Sequence, residues 1–106
     1  MAKNAAVDSA AKLAKEGKHD EAIAALDAEH KKSPKAAEVK TALISTLMGK
    51  GDSLMNDPNV PPRMKYPGAL RAYRRVVELD PANAKAKSQI STIEGIYKSM
   101  GRPVPQ

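Results

Sequence analysis

Apolar residues recur at three- and four-residue spacing in five stretches, and a Gly or Pro breaks the pattern after each. The first stretch, residues 4–16, places Ala6, Ala10, Leu13 and Ala14 on one narrow face of small side chains, suited to close helix packing. Gly17 ends it, with Lys12 and Lys15 in the last turns where the helix dipole favours cations. Asp20 is the expected N-cap of a second helix running to Lys32, with Ala22, Ile23, Leu26 and His30 inward. Ser33-Pro34 marks the next break, with Ser33 as a cap. A third helix then starts near Lys35 and carries Val39, Ala42, Leu43, Ile44, Leu47 and Met48. It is the most apolar of the set and is expected at the centre of the stack. Gly49 and Gly51 weaken it, although Asp52, Leu54 and Met55 can prolong it by a turn.

Residues 56–65 hold Asp57-Pro58 and Pro61-Pro62 and no helical period, so they predict a loop that the paired prolines stiffen. Pro67 then opens a helix to residue 79 with Ala69, Leu70, Tyr73, Val76 and Val77 on one face. Arg71, Arg74, Arg75 and Glu78 fill its other face, and Pro81 closes it. The last helix spans Ala84 to Met100 with Ile90, Ile93, Tyr97 and Met100 aligned, until Gly101 and Pro103 stop it.

One frame occurs twice. Ala22, Leu26 and Pro34 are repeated 47 residues later by Ala69, Tyr73 and Pro81, and Glu21-Ala22-Ile23 by Gly68-Ala69-Leu70. Taking residues 53–65 as an insertion reduces the period to 34. A 34-residue helical-hairpin period with Ala, a large residue four places on, and a closing Pro resembles the tetratricopeptide repeat. The resemblance covers nearly the whole chain. It implies an all-α solenoid of two repeats, 3–36 and 37–83, then a capping helix over 84–100 and a tail over 101–106. Neighbouring helices would run antiparallel in a right-handed superhelical stack. Where the family's first helix has a Gly this chain has Ile44, and Glu94 replaces its usual Tyr in the cap.

Composition narrows the functional classes. With 106 residues one small domain is expected, and with no Cys neither a disulfide framework nor a zinc-ribbon site is possible. No apolar run approaches the roughly 20 residues of a membrane span, and the N-terminus lacks a signal-peptide core. A soluble, cytoplasmic chain, or a soluble fragment of a longer one, is expected. His19 and His30 stand in no metal-ligating frame, and the serines lie in no nucleophile motif. Neither catalysis nor a cofactor is expected.

The net charge is +6, and residues 53–106 hold nine basic against four acidic side chains. Such a bias steers acidic partners. A stripe of Arg63, Lys65, Arg71, Arg74 and Arg75 is the candidate contact for phosphates, although no aromatic residue interleaves it to stack bases. Arg74 and Arg75 can also pair locally with Glu78. Nucleic-acid binding is therefore the weaker reading. The resemblance instead implies a protein-interaction scaffold holding a partner's peptide, an acidic one if the charge bias selects it, in a concave groove. Carried over residue by residue, that groove comprises Asn4, Val7, Asp8, Ala11, Thr41, Ala42, Ser45, Met48, Lys85, Gln89 and Thr92. Of the family's clamp for terminal carboxylates only Lys85 is matched. A self-associating homo-oligomer, or a structural module that supports a larger protein, would fit the same repeat frame. The loop before Pro67 is either a neutral insertion or a contact arm touching through Val60, Arg63, Met64 and Lys65.

Overall fold

Asn4 opens the first helix. Its side-chain carbonyl accepts the amides of Ala6 and Val7 at 3.0 and 3.2 Å, satisfying two of the donors that a helix start leaves open. The computed structural model describes residues 4–105 and, among them, five helices and no strand. These are α1 (Ala5–Lys15), α2 (His19–Lys32), α3 (Ala37–Asn56), α4 (Pro62–Leu79) and α5 (Ala84–Ser99). The expected all-α class is thus observed. Residue 3, where the first repeat is expected to begin, and residue 106 lie outside the described residues. The chain groups into two compact units, Met1–Lys50 and Gly51–Gln106, a division that falls within α3.

In the first unit α1 packs on α2, and the buried side chains are Ala10, Ala22, Leu26, Val39, Leu43, Thr46 and Leu47. Gly17 has φ +81°. That left-handed backbone lets the amides of Gly17 and Lys18 turn back to the carbonyls of Ala14 and Leu13 at 3.0 and 2.8 Å, a Schellman closure. Asp20 is not the N-cap of α2. The helix starts a residue earlier behind Lys18, which gives no side-chain cap. Asp20 lies in the first turn, where the dipole favours its charge, and its carboxylate meets Lys50 Nζ at 2.5 Å. Ser33 is a cap, as expected, closing α2 as its C-cap, and α3 starts at Ala37, two residues after Lys35.

The 47-residue repeat is visible in the turns after α2 and α4. Ser33 and Asp80 have nearly the same backbone angles, −136°, 71° and −142°, 86°. The amides of Ala36 and Asn83 each reach back to these residues' carbonyls at 3.0 Å, and Lys40 and Lys87 bond to Ala36 and Asn83 at 3.2 Å. Pro34 and Pro81 sit at the second turn position, which their fixed φ suits. The two copies differ in how the next helix is capped: Asn83 Oδ1 accepts the Ala86 amide at 2.9 Å, whereas Ala36 has no side-chain acceptor. Supplying it by Ala36→Asn is expected to raise stability by about 1 kcal/mol, and Asn83→Ala to lower it by about the same. Paired denaturant titrations give both signs, and a destabilising Ala36→Asn would contradict the equivalence of the turns.

In the second unit α4 packs on α5 through Ala69, Leu70, Ala72, Tyr73, Val76, Ala86, Ile93 and Tyr97, all buried. Tyr66 and Tyr97 meet edge to face, with centroids 6.4 Å apart. Gly101, at φ +68°, closes α5 as Gly17 closes α1, the amides of Gly101 and Arg102 returning to Lys98 and Tyr97. The stretch expected as a loop over 56–65 is half helical. α3 continues to Asn56 and α4 begins at Pro62, so only 57–61 is irregular. Asp57 folds that piece by accepting the Asn59 amide at 2.9 Å, an Asx turn. Pro61 is extended, as expected, but Pro62 takes the first helical position, which needs no amide hydrogen. Pro67, expected to start the helix, lies inside it. The cost there is one missing bond, to the carbonyl of Arg63 a turn earlier.

Candidate binding cavity

A cavity of about 690 Å³ opens in the first unit. α1 contributes Val7, Ala11, Ala14 and Lys15, α2 contributes His19 and Leu26, and α3 contributes Ala37, Glu38, Thr41, Ala42, Ser45, Thr46 and Gly49. The reason is the spacing. Positions 7, 11 and 15, and 37, 41, 45 and 49, each fall four apart along one helix face. Nearly every residue in these rows is small, which leaves space between backbones where larger side chains would fill it. The lining is predominantly apolar, with hydroxyls from Thr41, Ser45 and Thr46. Thr46 Oγ1 already donates to the Ala42 carbonyl at 2.8 Å. Two charges of opposite sign, Lys15 and Glu38, line it and are exposed, so the cavity itself carries no bias towards anions.

Five of the eleven groove candidates come together here: Val7, Ala11, Thr41, Ala42 and Ser45. Asn4, Asp8 and Met48 do not line it. Asn4 spends its side chain on the cap of α1, Asp8 is exposed in the first turn, and Met48 is half-buried. The residues missed by sequence reasoning, chiefly Ala37, Glu38, Gly49, Ala14 and His19, were within reach of it. Extending the Thr41-Ser45 row one turn each way gives Ala37 and Gly49. His19, which stands in no metal-ligating frame, lies beside Gly49, where a Cβ would meet its Nε2 at 3.4 Å, an ordinary contact.

The remaining candidates, Lys85, Gln89 and Thr92, belong to the second unit, and each is engaged within it. Lys85 Nζ lies 3.3 Å from Asp52 Oδ2. Gln89 Nε2 donates to the Tyr73 hydroxyl at 3.4 Å, and Thr92 Oγ1 to the Ser88 carbonyl at 3.0 Å. The Tyr73 hydroxyl in turn donates to Asp52 Oδ1 at 2.6 Å. Its pKa is raised well above that of an ordinary phenol, first because the residue is buried and then because Asp52 accepts its proton and repels a phenolate. The lysine that matched a carboxylate clamp thus already faces a carboxylate of its own chain.

The basic stripe is only partly assembled. Arg71, Arg74 and Arg75 line a smaller cleft of about 320 Å³ with Pro67, Leu70, Glu78 and Pro105. Arg63 and Lys65, in the first turn of α4, do not line it. Arg74 donates from Nη1 to the Pro105 carbonyl at 2.7 Å, an engagement that the pattern of charges gave no reason to expect. Of the four contact-arm residues Val60 is half-buried in the short loop, while Arg63, Met64 and Lys65 stand on α4, with Met64 63% exposed.

Among the described residues no helix is long and apolar enough to cross a membrane. The described chain is therefore a five-helix, all-α protein with an open apolar cavity in its first unit. Comparison with family models, with curated proteins and with solved structures finds no match to it.

Proposed function

We propose that this chain is a non-catalytic, tetratricopeptide-like interaction scaffold. In this reading α1–α2 and α3–α4 are the two repeats and α5 the cap, and the first-unit cavity receives a partner's peptide. The observation that carries the reading is the cavity: five residues named from the repeat frame line one space of about 690 Å³. The matched turns 47 residues apart, at Ser33 and Asp80, support the repeat frame itself. An open apolar space lined by small residues suits one bulky apolar side chain, with the neighbouring hydroxyls holding peptide backbone. Because Lys15 and Glu38 offset one another, selection here rests on shape. Any preference for an acidic segment has to come from the basic second half.

The full chain on an array of extended peptides is expected to retain those with a central Leu, Ile, Phe or Trp. Ala11→Arg places a long side chain over the cavity at an exposed helical position that tolerates it. It should weaken the retained peptides at least tenfold while leaving the melting temperature unchanged. Equal binding by Ala11→Arg, or no retained peptide, would overturn the reading. So would a dimer in sedimentation equilibrium that Ala11→Arg splits, since the cavity would then serve self-association.

A further inference from the structure

We propose that the cleft between α4 and the tail is a docking site for a proline-containing segment, with the tail at Pro105 as its intramolecular occupant. This concerns the second unit and does not rest on the cavity described above. Beyond Gly101 the chain leaves α5 and returns to α4 at Pro105; Val104 and Pro105 are half-buried and Pro103 is exposed. Prolines have no amide hydrogen, so such a segment presents carbonyls and ring surfaces. A surface that recognises it needs donors and apolar contact.

The cleft has both. Leu70 is only 1% exposed and forms an apolar wall with Pro67, whose ring replaces an amide within the helix. Arg74 supplies the donor, binding the Pro105 carbonyl at 2.7 Å. A guanidinium carries five N–H groups, so one carbonyl does not exhaust it. The exposed Arg71 stands on the same cleft one helical turn before Arg75. With the tail seated, about 320 Å³ still remains open beside it, room for chain beyond the stretch already bound. The seated residue defines the partner's chemistry: a proline-containing segment, poor in donors, that offers a ring and a backbone carbonyl as Pro105 does.

The test uses the ¹⁵N-labelled 106-residue chain and the probe peptide acetyl-Arg-Pro-Val-Pro-Gln-amide. In the unaltered chain the Val104 amide should have an order parameter near that of rigid backbone, about 0.85, falling below about 0.6 in Arg74→Ala. A chain carrying Pro103→Ser and Pro105→Ser keeps the carbonyl at 105 but loses the ring contact, so it should hold its tail less firmly and bind the peptide with shifts of the α4 amide signals over residues 68–78. Binding should be at least tenfold weaker to the unaltered chain, whose own tail competes. Adding Arg74→Ala to the tail variant should weaken the peptide tenfold again, with helical circular dichroism retained. Equal affinity for the unaltered and tail-altered chains would overturn the proposal, as would absence of α4 shifts. A proline-free acidic peptide that binds as tightly as the probe would also defeat it, because the cleft would then be a general anion site.

Discussion

Gly51→Ala is expected to lower the stability of this chain by about 2 kcal/mol, although glycine is the poorest non-proline residue for a helix interior. Replacing an exposed helical glycine by alanine gains about 1 kcal/mol. At Gly51 that gain is outweighed. A Cβ there would lie 2.6 Å from both Cε1 and Cζ of the Tyr73 ring, closer than carbon atoms approach. Tyr73 is fully buried and tied by its hydroxyl to Asp52, so the ring cannot swing aside cheaply. Overpacking at such a site costs about 3 kcal/mol, the upper part of the usual range. The internal control is Gly95→Ala in α5, where an added Cβ meets nothing within 4 Å and the position is exposed. That substitution should raise stability by about 1 kcal/mol. Urea titrations with a shared m-value would display the opposite signs. A stabilising Gly51→Ala would mean that α3 and α4 do not approach as described.

The same glycine shows what was and was not legible in the chain. Helix ends closed by local chemistry were readable: Gly17 and Gly101 adopt the left-handed backbone that only glycine enters freely, and Pro34 and Pro81 follow α2 and α4. The length of α3 was legible in part: Asp52, Leu54 and Met55 prolong it beyond the two glycines, and it runs to Asn56. Gly49 and Gly51 weaken a helix on propensity, but Gly51 serves close approach under Tyr73, and packing there overrides propensity. The start of α4 is ambiguous in sequence because Pro62 and Pro67 both carry the signature of a first-turn proline. Only the tertiary setting decides which one begins the helix. Asp20 resembles a cap because it precedes an apolar period, whereas the helix begins a residue before it without any side-chain cap. The cavity was half legible. A row of small residues four apart announces an open face, yet whether Lys85 or Gln89 is free depends on Asp52 and Tyr73, which approach them only once α3, α4 and α5 have folded.

Tyr73→Phe isolates that half-buried cluster, and its effect should reverse with pH. The ring stays, so no cavity opens, but Asp52 Oδ1 loses a donor at 2.6 Å and Gln89 loses its acceptor. A hydrogen bond to a charged group contributes about 2 kcal/mol, and that is the expected loss near neutral pH. The tyrosine itself becomes a liability in alkali. Its pKa is raised in the folded chain, so the folded state keeps a proton that the unfolded chain releases above its ordinary value near 10. The stabilisation from holding the neutral phenol is therefore complete below pH 10 and is lost as pH rises towards the folded-state pKa. In that window stability falls by about 1.4 kcal/mol per pH unit relative to Tyr73→Phe, which has no such proton. An advantage of about 2 kcal/mol at neutral pH would be cancelled after about one and a half units, so the two stability curves should cross near pH 11.5. The other tyrosines and the lysines are common to both chains and drop out of the difference. Denaturant titrations of both proteins from pH 7 to pH 12 measure it directly. Curves that stay parallel throughout would show that the Tyr73 hydroxyl titrates alike in the folded and unfolded chains, and hence that it is neither buried nor held by Asp52.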